Sequence, residues 1–364
     1  MNRPPSGAEV ACRHVGSDTC ARCSWSRPGE ALALVLRGRT AGKALPVAIV
    51  VGTVLSLVNQ GAVIIDGTAA ADTWFRVAVN YAVPFIVASV GYLSGRRIRP
   101  DAAGWCRYLA RYHDERPGIT ERVLNVAAAR GVGSPYRWLV EPLRSSPGPI
   151  LDLACGSAPT RDLLPDARWL GVDTSWGEFG LATAAGRGPV VLGRADALPV
   201  AEDAVTDVCA AMCLPLLTPL EGVLGEVRRV LRPGGRIVAL VPSRLGWHPV
   251  GAARWLRVFR ALGIHDQPWP NPQARDGLAP LLRAHGFVVD RCEHKVFWRE
   301  VDTPEQAALI VDGLYLPEAE PGRVEQAKRA LGSRARPGRR LPFPLRRVVA
   351  QLPDHEPEKE GSPP

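Results

Sequence analysis

Three acidic residues, set at or just after short apolar runs, carry most of the chemistry legible in this chain. The first is Asp152, inside Gly148-Pro-Ile-Leu-Asp-Leu-Ala-Cys-Gly-Ser-Ala158. Ile150–Leu153 follows a Pro/Gly breaker and reads as a buried parallel strand. The small residues from Gly156 turn the chain and let a ligand approach the backbone closely. Thr160–Leu164 then starts a helix. About 20 residues on, Trp169-Leu-Gly-Val-Asp173 ends a second strand in a carboxylate, spaced to accept hydrogen bonds from both hydroxyls of a ribose. A third strand, Val190–Gly193, leads to Arg194-Ala-Asp196-Ala-Leu-Pro199. Asp207–Met212 marks a fourth, Leu220–Leu231 a helix closed by Arg232-Pro-Gly-Gly235, and Arg236–Val241 a fifth strand. Strand, small-residue turn and helix together are the first half of a nucleotide-type α/β site.

In this order, from Pro149 to Pro242, the motifs resemble the class I S-adenosylmethionine-dependent methyltransferases, of the methyltransferase-11/25-like group acting on small molecules. The resemblance implies an α/β fold: a doubly wound, seven-stranded Rossmann-like sheet with S-adenosylmethionine as cofactor. It also implies cofactor-binding positions. Asp152, Ala154 and Gly156 fall beside the methionine part, Asp173 and Thr174 at the ribose, Asp196 and Ala197 at the adenine. Met212 borders the sulfonium.

Two departures from the family pattern bear on activity. Asp/Glu-x-Gly-x-Gly-x-Gly stands here as Asp152-Leu-Ala154-Cys-Gly156-Ser-Ala158. An alanine held at positive φ costs about 1 kcal/mol or more, which leaves weakened cofactor binding or a retired enzyme open. After the fourth strand, Met212-Cys-Leu-Pro-Leu-Leu replaces the Asn/Asp-Pro-Pro-Tyr/Phe motif of amino-methylating enzymes, and no Pro-Cys nucleophile is present. A nucleic-acid acceptor is therefore disfavoured against a small molecule or lipid. NAD(P) is disfavoured because Gly-x-Gly-x-x-Gly is missing.

Methyl transfer from a sulfonium asks mainly for near-attack geometry, and for a base only when the acceptor must lose a proton. Catalytic residues are accordingly faint in the sequence. The candidates are Tyr112 and His113, on an amphipathic helix over Trp105–Arg116 that belongs to a cap preceding the first strand. Ile119–Arg130 continues that cap as a helix, and Tyr136 and Trp138 lead toward the sheet.

Two stretches point to a membrane. Ala44–Ile65 has no charge and is about long enough to span a bilayer, and Phe75–Leu93 is a second apolar run. Arg37, Arg39 and Lys43 precede this hairpin and Arg96, Arg97 and Arg99 follow it, so both ends face the cytoplasm by the positive-inside rule. The expected location is the cell membrane, multi-pass, with the N-terminus and methyltransferase domain cytoplasmic. Asn59, Gln60 and Asn80 lie at membrane depth, where they are expected to bond across the hairpin or line something polar. Asn59-Gln-Gly and Tyr81-Ala-Val-Pro resemble a small two-helix family described as nitrate/nitrite transporter. The resemblance implies transport, for which two helices need a homo-oligomer; an anchor is the other reading.

The remaining sequence sets boundaries. Net charge is +9, carried mostly by Arg, which suits anionic lipid, nucleic acid or no partner at all. Eight scattered Cys indicate a reducing compartment without a disulfide framework. Cys12, His14, Cys20 and Cys23 contain one Cys-x-x-Cys without a second pair at standard spacing, and read as a disordered leader rather than a zinc knuckle; no metal is expected. Ala274–His285 reads as a helix, and Phe287–Cys292 with Lys295–Glu300 as a final strand pair. Thr303–Tyr315 reads as a helix with a Thr303/Gln306 capping box. The expected domains are a tail (1–35), a transmembrane hairpin (36–99), a helical cap (100–146), the methyltransferase domain (147–318) and a basic, partly disordered tail (319–364). In that last tail Arg334, Arg336, Arg339, Arg340, Arg346 and Arg347 are expected to be solvated, resting on anionic lipid.

Overall fold

The computed structural model describes Val35, Gly38 and residues 40–95, 102–244 and 249–354. The four candidate zinc ligands of the leader and the Pro/Glu-rich end lie outside these. The chain forms two units, Met1–Arg99 and Pro100–Pro364.

In the first unit, α1 (Ala41–Ile65) and α2 (Ala71–Gly95) form a hairpin. Every fourth residue of α1 faces α2: Ala44, Ala48, Gly52, Ser56 and Gln60 are buried. Small side chains here let the helices approach closely; a Cβ on Gly52 would stand 2.5 Å from the Tyr81 ring. Polar groups pair across the seam: Asn80 Nδ2 donates to Ser56 Oγ at 3.3 Å, and the hydroxyls of Thr53 and Tyr81 meet at 2.9 Å. Asn59 is turned outward, away from α2. Val58, Ile65 and Phe75 are 77%, 84% and 71% exposed, so this pair does not bury its apolar surface as core helices of a soluble domain do. Both helices are long and apolar enough to cross a membrane.

In the second unit, helices flank one seven-stranded mixed sheet of order β3-β2-β1-β4-β5-β7-β6. The strands are β1 (Ile150–Leu153), β2 (Trp169–Asp173), β3 (Val190–Leu192), β4 (Val205–Ala211), β5 (Leu231–Pro242), β6 (Val288–Glu300) and β7 (Arg340–Gln351). The first five pair in parallel and β7 runs antiparallel to both its neighbours. Successive residues of a strand point to opposite faces, and the core divides accordingly. Leu151, Val208 and Ile237 pack on one face, and Ile150, Cys209 and Val238 on the other.

Helices α3 (Ala102–Glu115), α4 (Ile119–Leu124) and α5 (Pro135–Val140) form the cap, α6 (Trp176–Ala184) follows β2, and α7 (Leu220–Val230) follows β4. Beyond β5 come α8 (Pro249–Leu262), α9 (Pro272–Asp276), α10 (Leu278–Ala284), α11 (Pro304–Asp312) and α12 (Pro321–Gly332). Of these, α8, α11 and α12 share a third cluster around Trp255, Ile310 and Leu331.

Several expectations need correction. Ile119–Arg130 is helical only to Leu124, and Ala274–His285 is broken at Gly277 into α9 and α10. Phe287–Glu300 is not a strand pair but the single long strand β6, and its partner is β7. The basic tail is therefore not a tail. Residues 340–351 fill the sheet position between β5 and β6, and Arg346 and Arg347 are buried. Arg347 meets Glu293 Oε2 at 2.6 Å and Glu141 Oε2 at 2.8 Å, donates to the Trp138 carbonyl and lies over the Trp138 ring. Arg346 donates to the carbonyls of Arg275 and Asp276. Burial of an Arg is costly unless its donors are satisfied; those of Arg347 are, while Arg346 Nε has no partner among the described residues.

Candidate active site

The carboxyl ends of parallel strands are where an open α/β sheet presents ligands, and there the chain holds a partly open cavity. Ala154, Gly156, Asp173, Thr174 and Met212 line it from the sheet; His113, Thr120, Glu121, Tyr136 and Tyr315 line it from the cap and the segment after α11.

The turn after β1 is built from left-handed residues. Gly156 has φ 55°, and Ala154 and Ala158 adopt φ 51° and 57°. The alanines that replace the family's glycines thus keep the glycine conformation at a steric cost. Asp173 clamps this turn: its Oδ2 accepts from Gly156 N–H at 2.8 Å and its Oδ1 from Ser175 N–H at 2.9 Å. Met212, at the end of β4, is also left-handed with φ 64°.

Asp152 is buried beneath the turn and does not line the cavity. Thr160 Oγ1 donates to its Oδ2, while Oδ1 has no partner among the described residues. Burial, aided by the nearby Asp173 charge and opposed by the Thr160 hydrogen bond, pushes its carboxyl up to about 7.

Asp196 is turned away from the cavity into a bidentate pair with Arg194, at 2.9 and 2.7 Å. Neither it nor Ala197 lines the cavity.

The cap side carries a polar chain that spacing did not announce. His113 Nδ1 lies 2.8 Å from Glu178 Oε1, and Glu178 Oε2 accepts from Gly118 N–H at 2.9 Å. On the other edge of the ring, Nε2 is 3.3 Å from the Tyr315 hydroxyl, which is 3.0 Å from Thr120 Oγ1. With Glu178 accepting, the imidazole proton sits on Nδ1 and the Nε2 lone pair faces Tyr315. Burial raises the Tyr315 hydroxyl well above its usual range, so it stays neutral. Tyr112 is not part of this chain. Its hydroxyl donates to the Asp312 carbonyl at 2.5 Å, tying the cap to α11.

Local structure explains these placements. Asp114 Oδ1 accepts from Ser175 Oγ at 2.7 Å and Gly177 N–H at 3.1 Å, docking the end of α3 on the start of α6. Gly177 is required by that approach, since a Cβ there would stand 3.0 Å from the Asp114 backbone. Ser175 caps α6 by accepting from Glu178 N–H at 3.2 Å. A capping box would return the Glu178 carboxyl to Ser175; here it turns into the cap instead. The Ser-x-x-Glu spacing was visible, but it signals a helix start and not a partner for His113. Glu121 accepts from Ser157 Oγ at 2.7 Å and from Arg187 at 2.8 and 3.0 Å, closing the cavity's rim.

The arrangement suits a ligand that carries both a diol and positive charge. Asp173 has acceptor capacity left beside the turn, and the turn offers close backbone approach. S-adenosylmethionine has these groups.

Comparison with known proteins agrees. Residues 151–239 match the family model described as "Methyltransferase domain". The chain is 28% identical over 189 residues to the malonyl-[acyl-carrier protein] O-methyltransferase of Methylococcus capsulatus, covering 48% of this chain and 64% of that protein. It is 37% identical over 146 residues to the demethylmenaquinone methyltransferase of Mycobacterium tuberculosis, covering 39% and 62%. The match thus spans somewhat under two thirds of these relatives. Among solved structures, the [4+2]-cyclase SpnF aligns at 16% identity with a TM-score of 0.45, covering 71% of this chain and 98% of that one. The matched segment is a class I methyltransferase domain, and its cofactor is S-adenosylmethionine.

Proposed function

We propose that the chain is a membrane-tethered methyltransferase whose acceptor is a small molecule or lipid with an acidic hydroxyl. The observation that carries this reading is one cavity lined both by the Asp173-clamped turn and by the His113–Glu178–Tyr315 chain. S-adenosylmethionine supplies an activated methyl group when bound. The protein supplies position and proton handling. Asp173 holds the ribose, and Ala154, Gly156 and Met212 shape the floor. Glu178 holds His113 so that the acceptor's proton passes to the Tyr315 oxygen as the Tyr315 proton passes to Nε2. The product imidazolium is stabilised by the buried Glu178.

The hairpin anchors the enzyme. Two polar pairs tie its helices together (Asn80 with Ser56, Thr53 with Tyr81), which favours an anchor over an anion pathway. A hydrophobic acceptor then reacts at a raised local concentration. Of the two relatives, the demethylmenaquinone methyltransferase has a lipid-soluble acceptor, which supports this reading, whereas the malonyl-[acyl-carrier protein] enzyme does not bear on it.

The test uses membranes containing the chain, S-adenosylmethionine labelled in its methyl group, and organic extraction. Label in the organic phase, lost with Asp173→Ala, is expected. No labelled product in either phase, or labelled product indifferent to Asp173→Ala, would overturn the reading, while labelled product confined to the aqueous phase would overturn the lipid acceptor.

A further inference from the structure

The second unit bears a basic surface that the candidate site does not use. Helix α8 buries Gly251, Trp255, Val258 and Leu262 and leaves Val250, Leu256, Arg257 and Arg260 outward, with Arg254 half-buried beside them. It is held along the start of β7. Trp255 Nε1 donates to the Pro342 carbonyl at 2.9 Å, Arg254 donates to the Arg340 carbonyl, and a Cβ on Gly251 would meet the Pro342 ring at 2.2 Å. The turn just before β7 is fixed to β6 through Val301 N–H to Arg339 O at 2.8 Å and Arg336 N–H to Val301 O at 3.1 Å. These contacts set Arg254 of α8 beside the turn that carries Arg336 and Arg339, with Arg257 and Arg334 near enough to act on Arg339. The positive neighbours, after burial, depress the Arg339 guanidinium below its ordinary range. Among the described residues none of the five forms an ion pair, although the unit elsewhere pairs many of its arginines.

Five guanidiniums held together with no ion pair of their own among the described residues repel one another, the nearby Glu300 being taken by Arg340, and an external anion would relieve that repulsion. Leu256, 49% exposed, and Val250, 52% exposed, stand on the same helix. A free phosphate or a nucleic-acid backbone has nothing to offer those aliphatic groups; a lipid surface offers both phosphate and hydrocarbon.

We infer that α8 and the turn before β7 form a docking surface for anionic phospholipid. Val250 and Leu256 enter the headgroup boundary and the arginines bind its phosphates. The inference rests on the tethered reading, and its test separates the two.

The chain is reconstituted into nanodiscs of phosphatidylcholine alone or with phosphatidylglycerol, and hydrogen exchange is followed in residues 249–262 and 334–340. Slower exchange only in the anionic discs, reversed by salt, is expected. Arg257→Glu with Arg336→Glu should abolish it without slowing exchange in the sheet. Each lost guanidinium should weaken binding about fivefold, the factor set by ~1 kcal/mol per basic residue. Equal exchange in both lipids, or protection by polyglutamate or single-stranded DNA but not by phosphatidylglycerol, would overturn the surface. Hairpin integration is read separately by alkaline-carbonate extraction. A chain that is extracted yet still floats with phosphatidylglycerol vesicles at low salt would refute the tether and keep the surface.

Discussion

Replacing Ala154 by glycine should stabilise this protein relative to what the same exchange does elsewhere. Ala154 sits at φ 51°, where a Cβ costs about 1–2 kcal/mol. Ala154→Gly recovers roughly 1.5 kcal/mol of this, loses about 0.7 kcal/mol to the freer unfolded chain, and loses about 0.4 kcal/mol from a partly buried methyl. The net is a gain of roughly 0.4 kcal/mol. At Ala158, φ 57° but fully buried, the methyl is worth about 0.8 kcal/mol and the exchange comes out near neutral. Ala253, exposed on α8, has no strain to release, so Ala253→Gly costs about 0.7 kcal/mol. Ala154→Gly and Ala253→Gly should therefore differ by about 1 kcal/mol, or roughly 2–4 °C in midpoint for a domain of this size. Tryptophan fluorescence during thermal unfolding in detergent measures the difference. If Ala154→Gly lowers the midpoint as much as Ala253→Gly, the left-handed turn is wrong. The same turn would then not explain how alanines replace the family's glycines.

Three further outcomes are expected. Asp173→Ala should weaken S-adenosylmethionine binding by at least about tenfold in calorimetry, since it removes a charged acceptor and unclamps Gly156. Glu178→Gln should leave that binding nearly intact but lower turnover by about 10²-fold and shift its pH profile, because it acts on His113. Asp152 ties stability to pH. Its folded-state carboxyl is raised to about 7, so the folded chain holds a proton that the unfolded chain releases near 4. Its contribution is fully present below pH ~4 and is lost as pH rises through 7. Denaturation midpoints should fall across that window and Asp152→Asn should flatten the slope; an unchanged slope would show that Asp152 is ionised when folded.

The elements around the turn were legible because their physics is local. Ile150–Leu153, Trp169–Asp173 and Val205–Ala211 are nearly continuous apolar runs, as strands buried on both faces must be. The Thr303 cap of α11 was equally readable, with Thr303 accepting from Gln306 N–H at 3.3 Å. β7 was not. Its sequence, Arg-Leu-Pro-Phe-Pro-Leu-Arg-Arg-Val-Val-Ala-Gln, breaks the apolar run with two prolines and two arginines. The prolines lie where β7 pairs only with β6, beyond the pairing with β5 that begins at Leu345, which satisfies the edge rule for proline. The arginines are compensated by carboxylates and carbonyls far away in sequence, including Glu141 and Arg275. Glu178 was missed for the same reason: its partners, His113 and Gly118, lie some 60 residues upstream.

The place of β7 also sets when this protein can become itself during synthesis. The hairpin is made first and can enter a membrane alone, as a local structure closed by contacts between neighbouring helices. The sheet cannot follow at the same pace. β5 and β6 are finished long before β7, and the slot between them stays vacant until residues 340–351 emerge. Until then two apolar strand edges face each other without a partner, and any chain cut short before Arg340 leaves them so. Closure of the sheet thereby waits on residues 340–351, some 40 residues beyond the end of β6.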